Sequence, residues 1–387
     1  MLGFYTQFIS VGIEIEEAVV SLKYEPFELE RWLASKKGKY NLSGLGPPPV
    51  RLSELMDPNE LDDELLYGDT RGSVELRKLI ASNYGELSSE NVLVTTGTAE
   101  ANFLTLTSLI DRSDEVILIV PTYMQAYGLA RGLGAQVKLI LMGEENNDRI
   151  LLEKLKETIS TKTKMIFYTN PNNPTGSTMS EATVRAICEI AREYGSYVVC
   201  DEVLRGLEID GDLTLSPASI YEKGVSTASL SKLGIRGIRI GWISSPDSKF
   251  ISEAWKLKDY TTLSHSGISE KVATIAMQPD KLNWLRRKAK ESFREGRVLL
   301  MKWIGDNSQL LTCVTPTAGG SAFPKYFANM DSTSFGERLL EEEDVLIAPG
   351  TCFGSDNHFR IKFVGENKKL IEGFDRISNF LRRHADN

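Results

Sequence analysis

Cysteine and histidine are scarce in this chain. Its 387 residues include only four cysteines and three histidines. The cysteines, at positions 188, 200, 313 and 352, form no CxxC pair and show no zinc-type spacing. We therefore predict neither a metal site nor a disulfide framework, and a reducing compartment is expected.

Long apolar runs and an excess of positive charge are missing as well. The apolar N-terminal stretch is interrupted by Glu14, Glu16 and Glu17 and has no basic segment before it, so neither a signal peptide nor a membrane span is expected. The 53 acidic residues outnumber the 45 basic ones and give a net charge of −8. This balance argues against a large nucleic-acid-binding surface. We expect a cytoplasmic protein with neither nucleic-acid nor membrane partners.

Between about residues 90 and 245, short β-branched runs alternate with amphipathic helical stretches. This alternation is typical of an α/β domain in which helices cover both faces of a mostly parallel sheet. The length favours two domains. We predict an N-terminal arm and part of a small domain over 1–45, a large domain over 46–285 and a small C-terminal α+β domain over 286–387. The predicted strands are 92–96, 115–120, 165–169, 196–200, 227–231 and 240–244, and one of the helices between them is predicted over 181–194.

Polar motifs follow the ends of these strands, where open parallel sheets bind their ligands. Gly97, Thr98 and Ala99 come after the first strand and begin a helix, whose free N–H groups suit a phosphate. An ordinary helix cap explains the same residues. The strand 165–169 leads into a rigid turn over 170–176, with three asparagines that can hydrogen-bond a ligand oxygen.

Charged side chains follow two further strands. Asp201 and Glu202 come after the strand 196–200 and suit a metal ion, a general base or a partner for a protonated ring nitrogen. Lys232 stands among serines, with Arg239 seven residues further on. This lysine could be ordinary surface. Beside the other strand ends, we interpret it as a Schiff-base lysine next to a phosphate site.

Taken together, these motifs resemble those of the class I/II aminotransferases of pyridoxal-phosphate (PLP) fold type I. The similarity covers nearly the whole chain and keeps the family's order and spacing. It implies pyridoxal 5′-phosphate as the cofactor. It also implies a large domain with a mostly parallel seven-stranded sheet flanked by helices, plus a smaller α+β domain. The residues that carry the resemblance are Tyr67, Gly97, Thr98, Ala99, Tyr123, Asn173, Pro174, Thr175, Gly176, Asp201, Ser229, Ser231, Lys232, Arg239 and Arg360.

The resemblance implies a role for each cofactor-binding residue. Lys232 would carry the cofactor and, once freed by substrate, act as the general base, while Asp201 would keep the pyridine nitrogen protonated. Asn173 would hydrogen-bond the phenolic oxygen, and Tyr123 would stack on the ring. The phosphate would be bound by Gly97, Thr98, Ala99, Ser229, Ser231 and Arg239.

Substrate contacts are implied in the same way. Arg360 would bind the substrate α-carboxylate, because a planar guanidinium can donate two parallel hydrogen bonds to a carboxylate. Asn173 would lie beside it, and either Gly44 or Gly46 would contact the same carboxylate.

The resemblance also implies a homodimer. Tyr67 would reach across a two-fold interface and donate to the phosphate of the partner's cofactor. The apolar N-terminal residues, Phe4 and Tyr5 among them, are expected to pack on that partner.

One position departs from the family's pattern. Three residues after Asp201 the family usually has a tyrosine that donates to the phenolic oxygen of the cofactor, but this chain has Leu204. Arg205 is the candidate for a substitute donor. Segments 27–33, 259–264 and 319–324 resemble PLP enzymes related to capreomycidine synthase, a group that carries out elimination and cyclisation as well as amino transfer.

The expected activity is amino-group exchange between an L-amino acid and a 2-oxo acid through a Lys232 Schiff base. A PLP-dependent lyase or cyclase acting on an α-amino acid is the alternative. A ligand-sensing regulator would need an attached DNA-binding domain, and no basic helix-turn-helix pattern precedes the core. The sequence does not name the substrate side chain.

Overall fold

The structure is a computed structural model and describes residues 24–57, 59, 67–142 and 148–384. Phe4 and Tyr5 of the predicted N-terminal arm lie outside these residues. The strands are β1 (Tyr40–Asn41), β2 (Val92–Thr95), β3 (Glu115–Val120), β4 (Gln136–Leu141), β5 (Thr163–Thr169), β6 (Tyr197–Asp201), β7 (Gly224–Ser229), β8 (Gly241–Ser244), β9 (Leu311–Thr312), β10 (Ser321–Ala322), β11 (Lys325–Tyr326), β12 (Val345–Leu346), β13 (Ala348–Pro349) and β14 (Phe359–Lys362). The α-helices are α1 (Glu28–Ser35), α2 (Leu52–Leu55), α3 (Val74–Ala81), α4 (Gly97–Leu109), α5 (Gln125–Gly132), α6 (Asp148–Thr158), α7 (Glu181–Tyr194), α8 (Ser248–Lys258), α9 (Gly267–Ala276), α10 (Pro279–Asp306), α11 (Ser332–Glu343) and α12 (Asn367–His384).

Seven strands form one sheet in the order β2, β8, β7, β6, β5, β3 and β4. Strand β8 is antiparallel to both of its neighbours, and the remaining pairs are parallel. Successive side chains of a strand point to opposite sides, so strands that are continuous apolar runs make both faces of the sheet apolar. In β3, Val116 and Leu118 belong to one buried cluster, whereas Ile117 and Ile119 belong to another. The predicted α/β architecture with a mostly parallel seven-stranded sheet is confirmed.

The local sequence of helix α7 determines where this helix begins and ends and which of its faces packs against the sheet. The Ser180 side chain caps its start by accepting from the Thr183 N–H. Val184 and Ile187 then recur at helical spacing and are fully buried against the sheet. Gly195, with a φ of 68°, ends the helix in the left-handed conformation that glycine adopts without steric cost.

The N-terminal and C-terminal segments are joined. Strand β1 pairs in parallel with β12, while β10, β14 and β13 form a separate three-stranded sheet. Buried residues from Tyr40 to Leu381 form a cluster that also includes Trp242 of the large sheet. The division of the chain at residues 45 and 285 stays a prediction, and its second boundary falls within helix α10.

Membrane-spanning helices are not found in the part of the chain that the structure describes. None of its helices combines the length and the apolar character that crossing a bilayer requires.

Candidate active site

A cavity of about 380 Å³ lies at the carboxyl ends of the parallel strands. The turns that follow β2, β5, β6 and β7 all contribute to it, as do helix α1 and strand β14. Its lining residues are Leu29, Glu30, Leu33, Gly44, Leu45, Thr98, Ala99, Asn102, Tyr123, Asn173, Asp201, Val203, Ser229, Ser231, Lys232, Arg236, Arg239 and Arg360. Most of the residues singled out from the sequence are therefore brought together in one place.

Lys232 enters the cavity from a 3-10 turn, Leu230–Leu233, that follows β7. The turn forms because the Ser229 hydroxyl caps it by accepting from the Ser231 N–H. Burial, together with the charges of Arg360 and Arg236, lowers the pKa of Lys232 to about 8. A lysine in such a site is more often an uncharged amine at neutral pH than an exposed lysine is, and the amine is the nucleophilic form.

Asp201 ends strand β6 and is 2% exposed. Its Oδ1 accepts from the Val203 N–H at 3.0 Å, and its Oδ2 accepts from the Asn102 amide at 3.1 Å. Burial raises the pKa of Asp201 to about 6, against the opposing effects of these two hydrogen bonds and of the Lys232 charge. The site therefore combines a buried carboxylate and an amine in one cavity.

Arg360 lies in β14 and is 3% exposed. It donates to the Asn173 side-chain oxygen at 3.0 Å and to the Ser43 carbonyl at 2.8 Å. Its guanidinium also lies 4.9 Å from the centre of the Phe353 ring. The Nε–H is buried and has no partner among the described residues, so this guanidinium still has a donor for an anionic ligand.

The start of helix α4 and Arg239 form a cradle. Gly97 has a φ of +78°, and a Cβ built on it would lie 2.2 Å from the Arg239 Nη2. Arg239 donates to the Ser231 hydroxyl at 3.2 Å, and the buried Thr98 hydroxyl has no partner among the described residues. A helix N-terminus, a guanidinium and an unpaired hydroxyl around one cavity are suited to a phosphate.

Tyr123 is held between the sheet and helix α1. Its ring meets Phe27 edge-on at a centroid distance of 4.9 Å, and its hydroxyl donates to the Glu30 carboxylate at 2.8 Å. Burial and the nearby Glu30 raise the pKa of Tyr123 well above its usual range. Tyr123 is therefore a neutral aromatic wall of the cavity.

The two glycines that the sequence left as alternatives are placed differently. Gly44 lines the cavity. Gly46 has a φ of +95°, and its hypothetical Cβ would lie 3.4 Å from the Lys232 Cδ, so it packs against the lysine stem.

Three of the predicted site residues, Tyr67, Gly97 and Gly46, do not line the cavity. The Tyr67 side chain is 90% exposed and does not line the cavity of its own chain. Gly97 is also outside the lining, although it contacts Arg239.

Arg205 does not serve as the substitute donor suggested by the sequence. It donates to the carbonyl groups of Thr214 and Asn83, at 2.8 and 3.1 Å, and lies over the Tyr84 ring. The backbone carbonyls of neighbouring loops bind this guanidinium outside the cavity lining. Leu204 is fully buried and packs toward Gly319.

Glu30, Asn102 and Arg236 line the cavity but were missed in the sequence. Glu30 belongs to α1, far along the chain from the strand ends. Asn102 follows the Gly97–Ala99 motif within the same helix, where a polar residue among apolar neighbours was the available signal. Arg236 donates to the Pro47 carbonyl at 2.5 Å, a contact that no sequence pattern predicts.

Comparison with known proteins agrees with this geometry. Residues 37–377 match the family described as aminotransferase class I and II, so the chain belongs to that family. Pyridoxal 5′-phosphate is its cofactor, and the phosphate cradle, the buried carboxylate and the buried lysine fit that group.

Individual relatives point to more than one reaction. The chain is 29% identical to capreomycidine synthase from Streptomyces vinaceus, over 92% of this chain and 94% of that protein. It is similar to the structure of a PLP-dependent aminotransferase from Streptococcus suis, with 32% identity, coverage of 94% and 99% and a TM-score of 0.86. It is also similar to the PLP-dependent cyclase OrfR, with 27% identity, coverage of 93% and 98% and a TM-score of 0.85.

Proposed function

We propose that this protein is an aminotransferase that exchanges an amino group between an L-amino acid and a 2-oxo acid, with the cofactor bound covalently to Lys232. The observation that carries the proposal is that Lys232, Asp201 and Arg360 line the same cavity. An amine, a buried carboxylate and a buried guanidinium are the three groups needed to attach the cofactor, tune it and bind an amino acid.

Bound pyridoxal phosphate supplies an electron sink for the negative charge that develops at the substrate Cα. Ionised Asp201 would keep the pyridine nitrogen protonated, and Asn173 would hydrogen-bond the phenolic oxygen. Tyr123 would lie against the ring. The phosphate would be bound by Gly97, Thr98, Ala99, Ser229, Ser231 and Arg239.

The substrate would be oriented by its carboxylate. Arg360 has a free Nε–H and is fixed in place by Asn173 and the Ser43 carbonyl, so it is prepared for an anion. Gly44 at the cavity wall would allow close approach of the same carboxylate. The lowered pKa of Lys232 would then let its uncharged amine take the proton from the substrate Cα.

The assembly that we propose is a homodimer in which Tyr67 serves the partner's site. Its 90% exposure is unusual for an aromatic side chain and is what a residue directed away from its own chain would show. A two-fold interface would supply both sites at once.

Elimination or cyclisation on an α-amino acid is the second candidate. Two observations favour it: the similarity to capreomycidine synthase and to OrfR, and Leu204 in place of the family's tyrosine. Without that phenol the cofactor has one donor fewer at its phenolic oxygen.

The two candidates can be separated by mixing the purified yellow protein with each amino acid in turn. Transamination predicts conversion of the cofactor to its pyridoxamine form with release of the matching 2-oxo acid. Turnover that leaves the cofactor in its aldehyde form and yields an eliminated or cyclic product would overturn transamination in favour of the second candidate. A Lys232→Ala chain with added cofactor is the control for non-enzymatic exchange.

A further inference from the structure

Asn102 forms a polar bridge to two neighbouring strands, β6 and β7, inside the protein. It lies in α4, is fully buried, and donates from Nδ2 to the Asp201 Oδ2 at 3.1 Å. Its Oδ1 accepts from the Thr227 hydroxyl at 2.6 Å. Both neighbours are buried as well, and a hydrogen bond in such surroundings is electrostatically stronger than one in water.

The bridge fixes which way the amide faces. An ionised carboxylate only accepts hydrogen bonds, so the NH₂ group must face Asp201 and the oxygen must face Thr227. The same NH₂ group donates to Gln125 at 3.2 Å, and Gln125 donates to the Ala99 carbonyl at 2.9 Å. The network therefore joins Asp201 to the phosphate cradle at the start of α4.

Few hydrogen-bond donors stabilise the ionised form of Asp201. Burial favours the neutral acid, and the described protein groups that oppose this by donating to the carboxylate are Asn102 and the Val203 N–H. These donors act on different oxygens. Loss of Asn102 would leave Oδ2 without the hydrogen bond that stabilises its negative charge.

We propose that Asn102 is a positioning residue for the reaction: it keeps Asp201 ionised and oriented toward the cavity, and Thr227 locks the amide in the orientation that this requires. The inference rests on the proposed role of Asp201 at the pyridine nitrogen. A structural role in packing α4 against the sheet would affect stability alone. The positioning role affects the protonation of Asp201 and therefore the pH dependence of the site.

The chain offers a matched set of variants. Asn102→Leu keeps the volume and removes the hydrogen bonds to Asp201, Thr227 and Gln125. Thr227→Val removes the hydroxyl that locks the amide, whereas Thr227→Ser keeps it. Thr105→Val is the control, since it alters a buried hydroxyl in the same helix that has no partner among the described residues. Asp201→Asn tests the proposed function itself.

Turnover and the dissociation constant of pyridoxal phosphate are measured for the holoenzymes across pH. In Asn102→Leu the acid limb of the kcat profile should move up by about one pH unit, because loss of one hydrogen bond to a charged group raises the carboxyl pKa by that order. KM for the amino acid should change little. The dissociation constant of pyridoxal phosphate should rise most at acidic pH. Thr227→Val should change the acid limb and the dissociation constant of pyridoxal phosphate in the same direction, but by less. Thr227→Ser and Thr105→Val should match the wild type.

Three results would contradict the inference. In the first, the acid limb of the kcat profile is the same for Asn102→Leu and Thr105→Val, although Asp201→Asn is inactive. Another is an equal loss of kcat at every pH with an unchanged Thr227→Val profile, which would leave only a structural role. If Asn102→Leu does not fold, the Thr227→Val and Thr227→Ser pair decides the matter. Wild-type turnover by Asp201→Asn would contradict the proposed function of Asp201, and this inference with it.

Discussion

Two nitrogens of the buried Arg360 guanidinium donate hydrogen bonds within the protein. Its Nε–H has no partner among the described residues. The contacts to Asn173 and Ser43 hold the plane of the group, and burial lowers its pKa to about 10. The group remains charged at neutral pH, with its free N–H inside the protein. This is the condition under which a carboxylate ligand would be bound strongly, because the donor is left unpaired without it.

Arg360→Lys should therefore keep the charge but lose the fork of the guanidinium. We expect kcat/KM for the best amino acid to fall about ten- to hundredfold, the equivalent of one hydrogen bond to a charged group, while pyridoxal phosphate stays bound. Steady-state kinetics and the visible absorbance of the cofactor measure the two effects. The control is Arg149→Lys, at an arginine whose side chain is 84% exposed. An unchanged kcat/KM would refute the assignment.

At the level of single residues, the sequence predicted the site residues that lie next to the ends of strands. Asp201 ends strand β6 and Lys232 lies three residues beyond the end of β7, so a parallel sheet brings them to one edge without further information. Glu30 and Arg236 were missed because their places depend on how α1 and the loop at Pro47 fold over that edge. Arg205 follows Leu204 in the sequence, but its guanidinium donates to the Thr214 carbonyl, because nearness in sequence does not fix the direction of a long side chain.

Elements were predictable where the apolar pattern was strong. Helix α7 has the bounds Glu181–Tyr194, the same residues as the predicted helix, because a serine cap and a glycine stop frame its apolar stripe. Strand β4 was missed, since it is an edge strand in which Leu139 and Leu141 remain about half exposed beside Lys138. Strand β7 ends at Ser229, two residues earlier than predicted, because the Ser229 cap starts a 3-10 turn there.

The start of helix α4 yields a prediction of its own. Gly97→Ala should weaken pyridoxal phosphate binding, because a Cβ would displace Arg239 and the φ of +78° disfavours any side chain. We expect affinity to fall about five- to thirtyfold, the equivalent of the roughly 1–2 kcal/mol that positive-φ strain costs. Equilibrium binding of the cofactor gives the measurement. Gly128→Ala in α5 is the control, because its Cβ would meet no atom within 4 Å, and it should bind normally. Normal binding by Gly97→Ala would contradict the cradle.

At the scale of the whole molecule, exposed apolar side chains gather on the segments that flank Tyr67. Tyr67 and Tyr260 are 90% and 88% exposed, and Val74 and Ile268 are each 46% exposed. The segments that carry Tyr67 and Tyr260 are tied together below the surface, where Lys258 donates to the carbonyls of Thr70 and Leu263. A partner surface would account for apolar side chains held in these positions.

Complementation tests whether Tyr67 acts across such an interface. Lys232→Ala and Tyr67→Ala chains, each inactive alone, are mixed under conditions that exchange subunits. Each mixed dimer would contain one site with both lesions and one with neither, so activity should return in proportion to the mixed dimers. Exchange is verified with a mass tag on one chain. Flat activity despite verified exchange would show that Tyr67 does not act in trans.

The proposed Schiff base between Lys232 and the cofactor can be trapped by chemical reduction. The yellow protein is reduced with borohydride, digested, and the peptide that carries the cofactor is identified by mass spectrometry. We expect a pyridoxyl group on Lys232, and no fixed label in a Lys232→Ala chain that still binds the cofactor non-covalently. A label on any other lysine, or covalent labelling that survives the substitution, would contradict this expectation.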